Sequence, residues 1–133
     1  MSCIYVITVA PSAPPNQISV GEIYSDSVYL SWRPPSPEHR NGEIIGYNVT
    51  LTVTSMGEEY TILSASNSTI LSSLNPFTTY TFMIAAVTDA GVGPRSTAIN
   101  FMTDEAGTMR VLTLYIAVVI LVTLLLCSSQ CFT

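Results

Sequence analysis

Ser27-Val28-Tyr29-Leu30-Ser31-Trp32-Arg33-Pro34-Pro35 decides the fold. On an extended chain Val28, Leu30 and Trp32 fall on one side and Tyr29 and Ser31 on the other, and the two prolines end the run. The same period of two recurs downstream. Tyr47, Val49, Leu51 and Val53 alternate with Asn48, Thr50 and Thr52, and Tyr80, Phe82, Ile84 and Ala86 alternate with Thr81, Met83, Ala85 and Val87. These runs are rich in the β-branched and aromatic residues that suit a pleated, half-buried surface. Breakers separate them: Pro34-Pro35-Ser36-Pro37, Asn41-Gly42, Met56-Gly57, Asn75-Pro76 and Ala90-Gly91-Val92-Gly93-Pro94. A helical period is absent between Pro11 and Thr103. Seven strands are expected, at 16–23, 27–32, 44–54, 59–64, 68–73, 79–88 and 96–103. The fold class is therefore all-β, a seven-stranded antiparallel sandwich of two sheets.

The remainder of the chain reads outward from that region. The 133 residues carry four Arg, no Lys, nine acids and a net charge of −5. That balance excludes a nucleic-acid binder, which needs cations to neutralise phosphates. One His and three Cys leave little material for a metal site, and no cofactor is expected. The cysteines lie at the two ends, Cys3 against Cys127 and Cys131, so the sandwich stands on its hydrophobic core without a disulfide. Of the 17 residues from Val111 to Cys127, 15 are apolar and none is charged. Residues 111–127 are expected to form a single transmembrane helix, with 104–110 as juxtamembrane linker and 128–133 as a short, truncated tail. A glycolipid-anchor signal is the competing reading, but its polar spacer would be shorter than the usual roughly 8–12 residues. No cation follows the helix and Arg110 precedes it, against the positive-inside tendency, which points to stop-transfer residues missing from an incomplete chain. Cys127 and Cys131 are candidate palmitoylation sites.

Five separated motifs now resemble one family. Pro14-Pro15 opens the region, and Ser27 to Trp32 is followed by Pro34-Pro35. Then come Ile45-Gly46-Tyr47-Asn48-Val49, Leu74-Asn75-Pro76 ahead of Tyr80, and Ala85-Ala86-Val87 leading to Ala90-Gly91-Val92-Gly93-Pro94-Arg95-Ser96. Residues 11–103 resemble a fibronectin type III domain. The resemblance implies a non-enzymatic extracellular module, used for protein–protein contact, cell adhesion or spacing, on a single-pass cell-membrane protein. The alternative it leaves open is a membrane-proximal ectodomain piece of a receptor-type tyrosine phosphatase or kinase whose catalytic part lies beyond Thr133. Residues 1–10, with the apolar run Cys3 to Thr8, look like the remnant of a preceding strand or linker. Neighbouring domains of the same type in a longer chain are thus expected partners, alongside the membrane and an unnamed protein ligand.

The residues divide by role. Trp32, Tyr47, Leu74, Tyr80 and Phe82 are expected in the core. Leu74-x-Pro76-x-x-x-Tyr80 fits a tyrosine corner, with the phenol bonded back to the chain near the turn. Asn48-Val49-Thr50 and Asn67-Ser68-Thr69 are glycan acceptor sequences, both expected on the surface. Asn48 shares its outward face with Thr81, Met83, Ala85 and Val87, an apolar set open to lateral contact. The loops 33–43 and 88–96 lie at one end of such a sandwich, which makes Arg33, Glu38, Arg40, Asp89 and Arg95 candidate contact residues. Catalytic residues are not expected. His39 sits in a Pro-rich loop with nothing to orient it, and Glu58 and Glu59 point to opposite faces of a strand.

Overall fold

The structure is a computed structural model that describes residues 9–130, with the side chains of 107–113 and 128–130 outside the description. The strand-like lead Cys3 to Thr8 and Cys131 therefore lie outside the described residues. In chain order the elements are β1 (Asn16–Ile23), β2 (Val28–Arg33), α1 (Pro37–Arg40), β3 (Gly46–Val53), β4 (Glu59–Ser64), β5 (Ser68–Leu71), β6 (Thr79–Thr88), β7 (Gly91–Val92), β8 (Ile99–Met102) and α2 (Gly107–Gln130).

Two antiparallel sheets form. One has the order β1-β2-β5; the other has the order β4-β3-β6-β7, with β8 also paired to β6. The register follows the alternation read in the sequence. Tyr47 lies between Ser64 and Ala86, and Val49 between Ile62 and Ile84, so inward residues form continuous rows across the sheet. Val28, Leu30, Val49, Phe82, Ile84 and Ala86 are completely buried between the layers. Trp32, at 2% exposed, meets Tyr47 edge-on with ring centroids 5.3 Å apart. Phe101 of β8 stacks on Tyr80 at 5.6 Å and tilts against Phe82 at 6.0 Å. Such offset and edge-on pairs add to the stabilisation from area burial.

The alternating strand directions sort the connections into two ends. Turns 24–27, 54–58 and 72–78 and the end of β8 share one end; α1, turns 65–67 and 89–90 and the chain entry share the other. The first end is stitched by hydrogen bonds. The Asn75 N–H donates to Tyr80 Oη at 2.8 Å, the corner geometry. Thr103 Oγ1 donates to Asn75 O at 2.6 Å and accepts from the Thr78 N–H at 3.0 Å. The Phe77 N–H donates to Asp104 O at 3.0 Å, and the Asp104 N–H to Tyr24 O at 3.1 Å.

Three elements differ from the sequence expectation. The last strand, expected over 96–103, is shorter, Ile99–Met102, and a further two-residue strand, Gly91–Val92, forms in the segment expected to be a loop, so eight strands stand where seven were expected. Pro94 has no N–H to give the ladder. The Gly93 N–H reaches Ala86 O at 2.8 Å and the Ser96 N–H reaches Ile84 O at 2.8 Å, so three steps on this strand oppose two on β6. One extra residue is accommodated, a bulge. The Pro-rich loop contains the one-turn helix α1, with Pro37 in its first turn and Asn41 closing it at φ 54°. Finally, α2 starts at Gly107, inside the expected linker, and runs unbroken to Gln130. Among the described residues, no helix is long and apolar enough to cross a membrane. The side chains described, Leu114 to Cys127, cover about 21 Å of α2, less than a hydrocarbon core of about 30 Å.

Candidate functional site

The end where the chain enters gathers most of the expected contact residues. Arg33 closes β2, Glu38 and Arg40 lie on α1, and Asp89 follows β6; Arg33, Glu38 and Asp89 are exposed. The Arg40 Nε donates to Pro35 O at 2.8 Å, which fixes the guanidinium over its own loop. The lead segment sits between the two loops. The Val9 N–H donates to Asn41 O at 3.3 Å, Asn41 Nδ2 donates to Ala10 O at 3.1 Å, and the Ser12 N–H donates to His39 O at 2.8 Å. On the other side Thr88 Oγ1 donates to Val9 O at 3.3 Å. Gly93 is required here, because a Cβ at that position would stand 2.8 Å from Pro11 Cβ and 2.9 Å from Pro11 O. The loops thus close on the chain's own entry segment.

His39, expected to have nothing to orient it, has partners. Its Nδ1 lies 3.2 Å from Ser12 Oγ, and its Nε2 lies 4.0 Å from Glu38 Oε1. The arrangement imitates a hydrolase triad in composition only. The ring and the carboxylate are 50% and 72% exposed, and 4.0 Å is beyond hydrogen-bond reach, so the carboxylate does not fix the imidazole. Among the described residues, no group of three metal-ligating side chains occurs.

Arg95 does not join the other loop residues. It lies beside Ala85 on the outer face of the larger sheet and pairs with Glu59 Oε1 at 3.2 Å. Glu59 belongs to β4, so the ion pair reaches over β6 and β3. Asn48 lies on the same face, between Leu63 and Ala85 in register. It is half-buried, and its Oδ1 is enclosed without a hydrogen-bond partner among the described residues. The apolar set expected beside it is also less open than alternation suggested. Ala85 is buried and Met83 and Val87 are half-buried, whereas Leu63 of β4, overlooked in the sequence, is 78% exposed. A shallow hollow of about 300 Å³ lies between Ile45, Asn48, Leu63 and Val87. Asn67 is exposed in the β4–β5 turn, and its backbone O accepts from the Trp32 N–H at 3.0 Å. Trp32, Tyr47, Leu74, Tyr80 and Phe82 are all buried in the core. Cys127 is exposed on α2.

Three phenols are held protonated above the usual tyrosine range. A hydrogen bond from the phenol to Glu58 at 2.6 Å raises Tyr60, and one to Glu22 at 2.5 Å raises Tyr24. Burial raises Tyr47, with the Arg40 charge opposing. Each is a hydrogen-bonding or packing effect on a surface or core residue.

Comparison with known proteins agrees with this architecture. The sequence model of the fibronectin type III domain matches residues 13–102. The mouse (Mus musculus) receptor-type tyrosine-protein phosphatase F is 37% identical over 93 residues, covering 65% of this chain and 5% of its own. The human (Homo sapiens) phosphatidylinositol phosphatase PTPRQ is 41% identical over 96 residues, covering 72% of this chain and 4% of its own. The chain therefore spans about one-twentieth of the length of these relatives. Among solved structures, the third fibronectin III domain of the human KIAA0343 protein superposes with a TM-score of 0.65 at 23% identity, covering 80% of this chain and 94% of that one.

Proposed function

The chain belongs to the fibronectin type III family, and from that premise we propose that it is a non-enzymatic extracellular module of a single-pass membrane protein, acting in protein–protein contact, cell adhesion or as a spacer. The observation that carries the membrane part is α2. Its described side chains, mainly Leu, Ile and Val, are all exposed, so the sandwich offers them no cover. By sequence, 111–130 holds twenty uncharged residues, about 30 Å of helix, which matches a hydrocarbon core. The entry end is read as a joint to a neighbouring domain of a longer chain, because the lead already fills the space between the loops that carry Arg33, Glu38, Arg40 and Asp89.

This topology exposes Asn48 and Asn67 to the glycosylation machinery. Asn67 is the expected acceptor of the two in the folded domain, since Asn48 is half-buried within a sheet row. A second reading is favoured by the relatives at 37–41% identity: an ectodomain repeat of a receptor-type phosphatase, with catalysis supplied by a different segment of that protein. One experiment tests the membrane reading. The chain, expressed behind an added signal peptide, stays in the pellet on alkaline carbonate extraction and loses mass on glycan removal. Release into the supernatant, or by phosphatidylinositol-specific phospholipase, refutes a spanning helix.

A further inference from the structure

We propose that the end of the sandwich facing α2 is itself a lipid-contact surface, seated in the headgroup layer of a zwitterionic bilayer through Tyr24, Met56, Phe77 and Met102. The proposal rests on the reading of α2 as a membrane span. Two independent features carry it: the shortness of the connection and the chemistry of the four tips.

The connection is short because most of it is already tied down. Four residues, 103–106, separate β8 from α2. Thr103 is bonded to Asn75 and Thr78, and Asp104 is bonded to Tyr24 and Phe77. Glu105 and Ala106 are left to bridge the gap, about 7 Å at full extension. The first turn of α2, Gly107 to Arg110, adds about 6 Å before the uncharged stretch begins. This end of the sandwich therefore lies within about 13 Å of the hydrocarbon boundary, and the headgroup layer accounts for about 5–8 Å of that. Exposed side chains on the loops reach across the remainder.

The tips are the residues that such a layer favours. Tyr24 is 54% exposed, Met56 70%, Phe77 61% and Met102 47%. They come from the β1–β2, β3–β4 and β5–β6 turns and from the end of β8, all at this end. Tyr24 and Phe77 are joined through the backbone of Asp104, the last anchored residue before the helix. Phe77 is also held at φ 49°, a left-handed conformation that bulky residues avoid. An exposed aromatic kept in a strained conformation is a candidate for function, and aromatic rings collect at membrane–water interfaces. The charges around the tips choose the lipid. Glu22, Asp26, Glu58, Asp104 and Glu105 surround this end, no Lys or Arg lies among its turns, and Arg110 in the first turn of α2 is the one cation on the connection against these five acids. An anionic surface would repel it; a phosphatidylcholine surface would not.

The test uses the full chain in phosphatidylcholine vesicles containing brominated acyl chains, which quench nearby tryptophan. Phe77→Trp places a reporter at the proposed contact, Tyr24→Trp places a second one in a different turn, and Val92→Trp serves as control at the opposite end. Trp32 contributes the same core background to all three. The emission of Phe77→Trp and Tyr24→Trp is expected to fall on bromination and to shift to the blue, with Val92→Trp unchanged; replacing part of the phosphatidylcholine with phosphatidylserine reduces the fall. If the chain floats with the vesicles but neither tip reporter is quenched, the headgroup contact is wrong while the spanning helix stands. If the chain does not float with the vesicles, the reading of α2 fails and this proposal fails with it.

Discussion

The sandwich and α2 are built from the same kinds of side chain and treat them in opposite ways. In the sandwich Val28, Leu30 and Val49 are completely buried; in α2 Leu114 is 67% exposed and Val118 57%. Strand alternation lets each β segment turn one row inward and give the other to solvent. The helix is apolar all round, so no orientation against the sandwich would cover it. Burial in the sandwich is supplied by the fold itself, whereas the helix depends on its surroundings.

Substitutions break this contrast in order of size. Trp32→Ala removes the largest core ring and its contact with Tyr47, and is expected to lower sandwich stability by about 3–5 kcal/mol in denaturant unfolding. An unchanged midpoint would refute the core assignment. Val119→Arg should leave that midpoint alone, since Val119 is exposed, but should oppose membrane insertion by about 2.5–3.5 kcal/mol, read as loss from the carbonate pellet. Tyr80→Phe keeps the ring and removes the acceptor for the Asn75 N–H, with an expected loss of about 1–3 kcal/mol. A loss near zero would show that the corner bond is replaced by water. Glu59→Gln breaks the pair with Arg95. Both partners are about half exposed, so the loss should be about 0.2–1 kcal/mol and should vanish in high salt.

Most of the sandwich was legible in the sequence, because a period of two needs only the residue types within each run. The Trp32 strand, the Tyr80 corner and the two-sheet class all came from such local patterns. The missed features depend on partners distant in sequence or on backbone detail. Alternation does not register a two-residue strand, so Gly91–Val92, inside the breaker run that ends at Pro94, reads as loop. The Ser12–His39 contact joins residues 27 apart, and the Arg95–Glu59 pair joins residues 36 apart; neither has a local signature. Leu63 lies on the side of β4 opposite Ile62, and nothing in a run of Tyr, Thr, Ile and Leu shows that both faces of that strand are uncovered. Phe77 follows an Asn-Pro turn signal that locates the turn but does not say which residue takes the left-handed conformation.

The bulge at Pro94 also governs how copies behave when crowded. A sheet edge with free N–H and C=O groups recruits any strand that can match its spacing. On the β7–β8 side a proline and an extra residue spoil that spacing, so an incoming strand finds no regular ladder. The β4 side has no such interruption. Tyr60, Thr61, Ile62 and Leu63 form a straight, exposed margin whose gatekeepers are the acids Glu58 and Glu59 at its start. Of the two margins of the larger sheet, pairing between copies is therefore directed to the β4 side, where neutralising those two acids removes a protection.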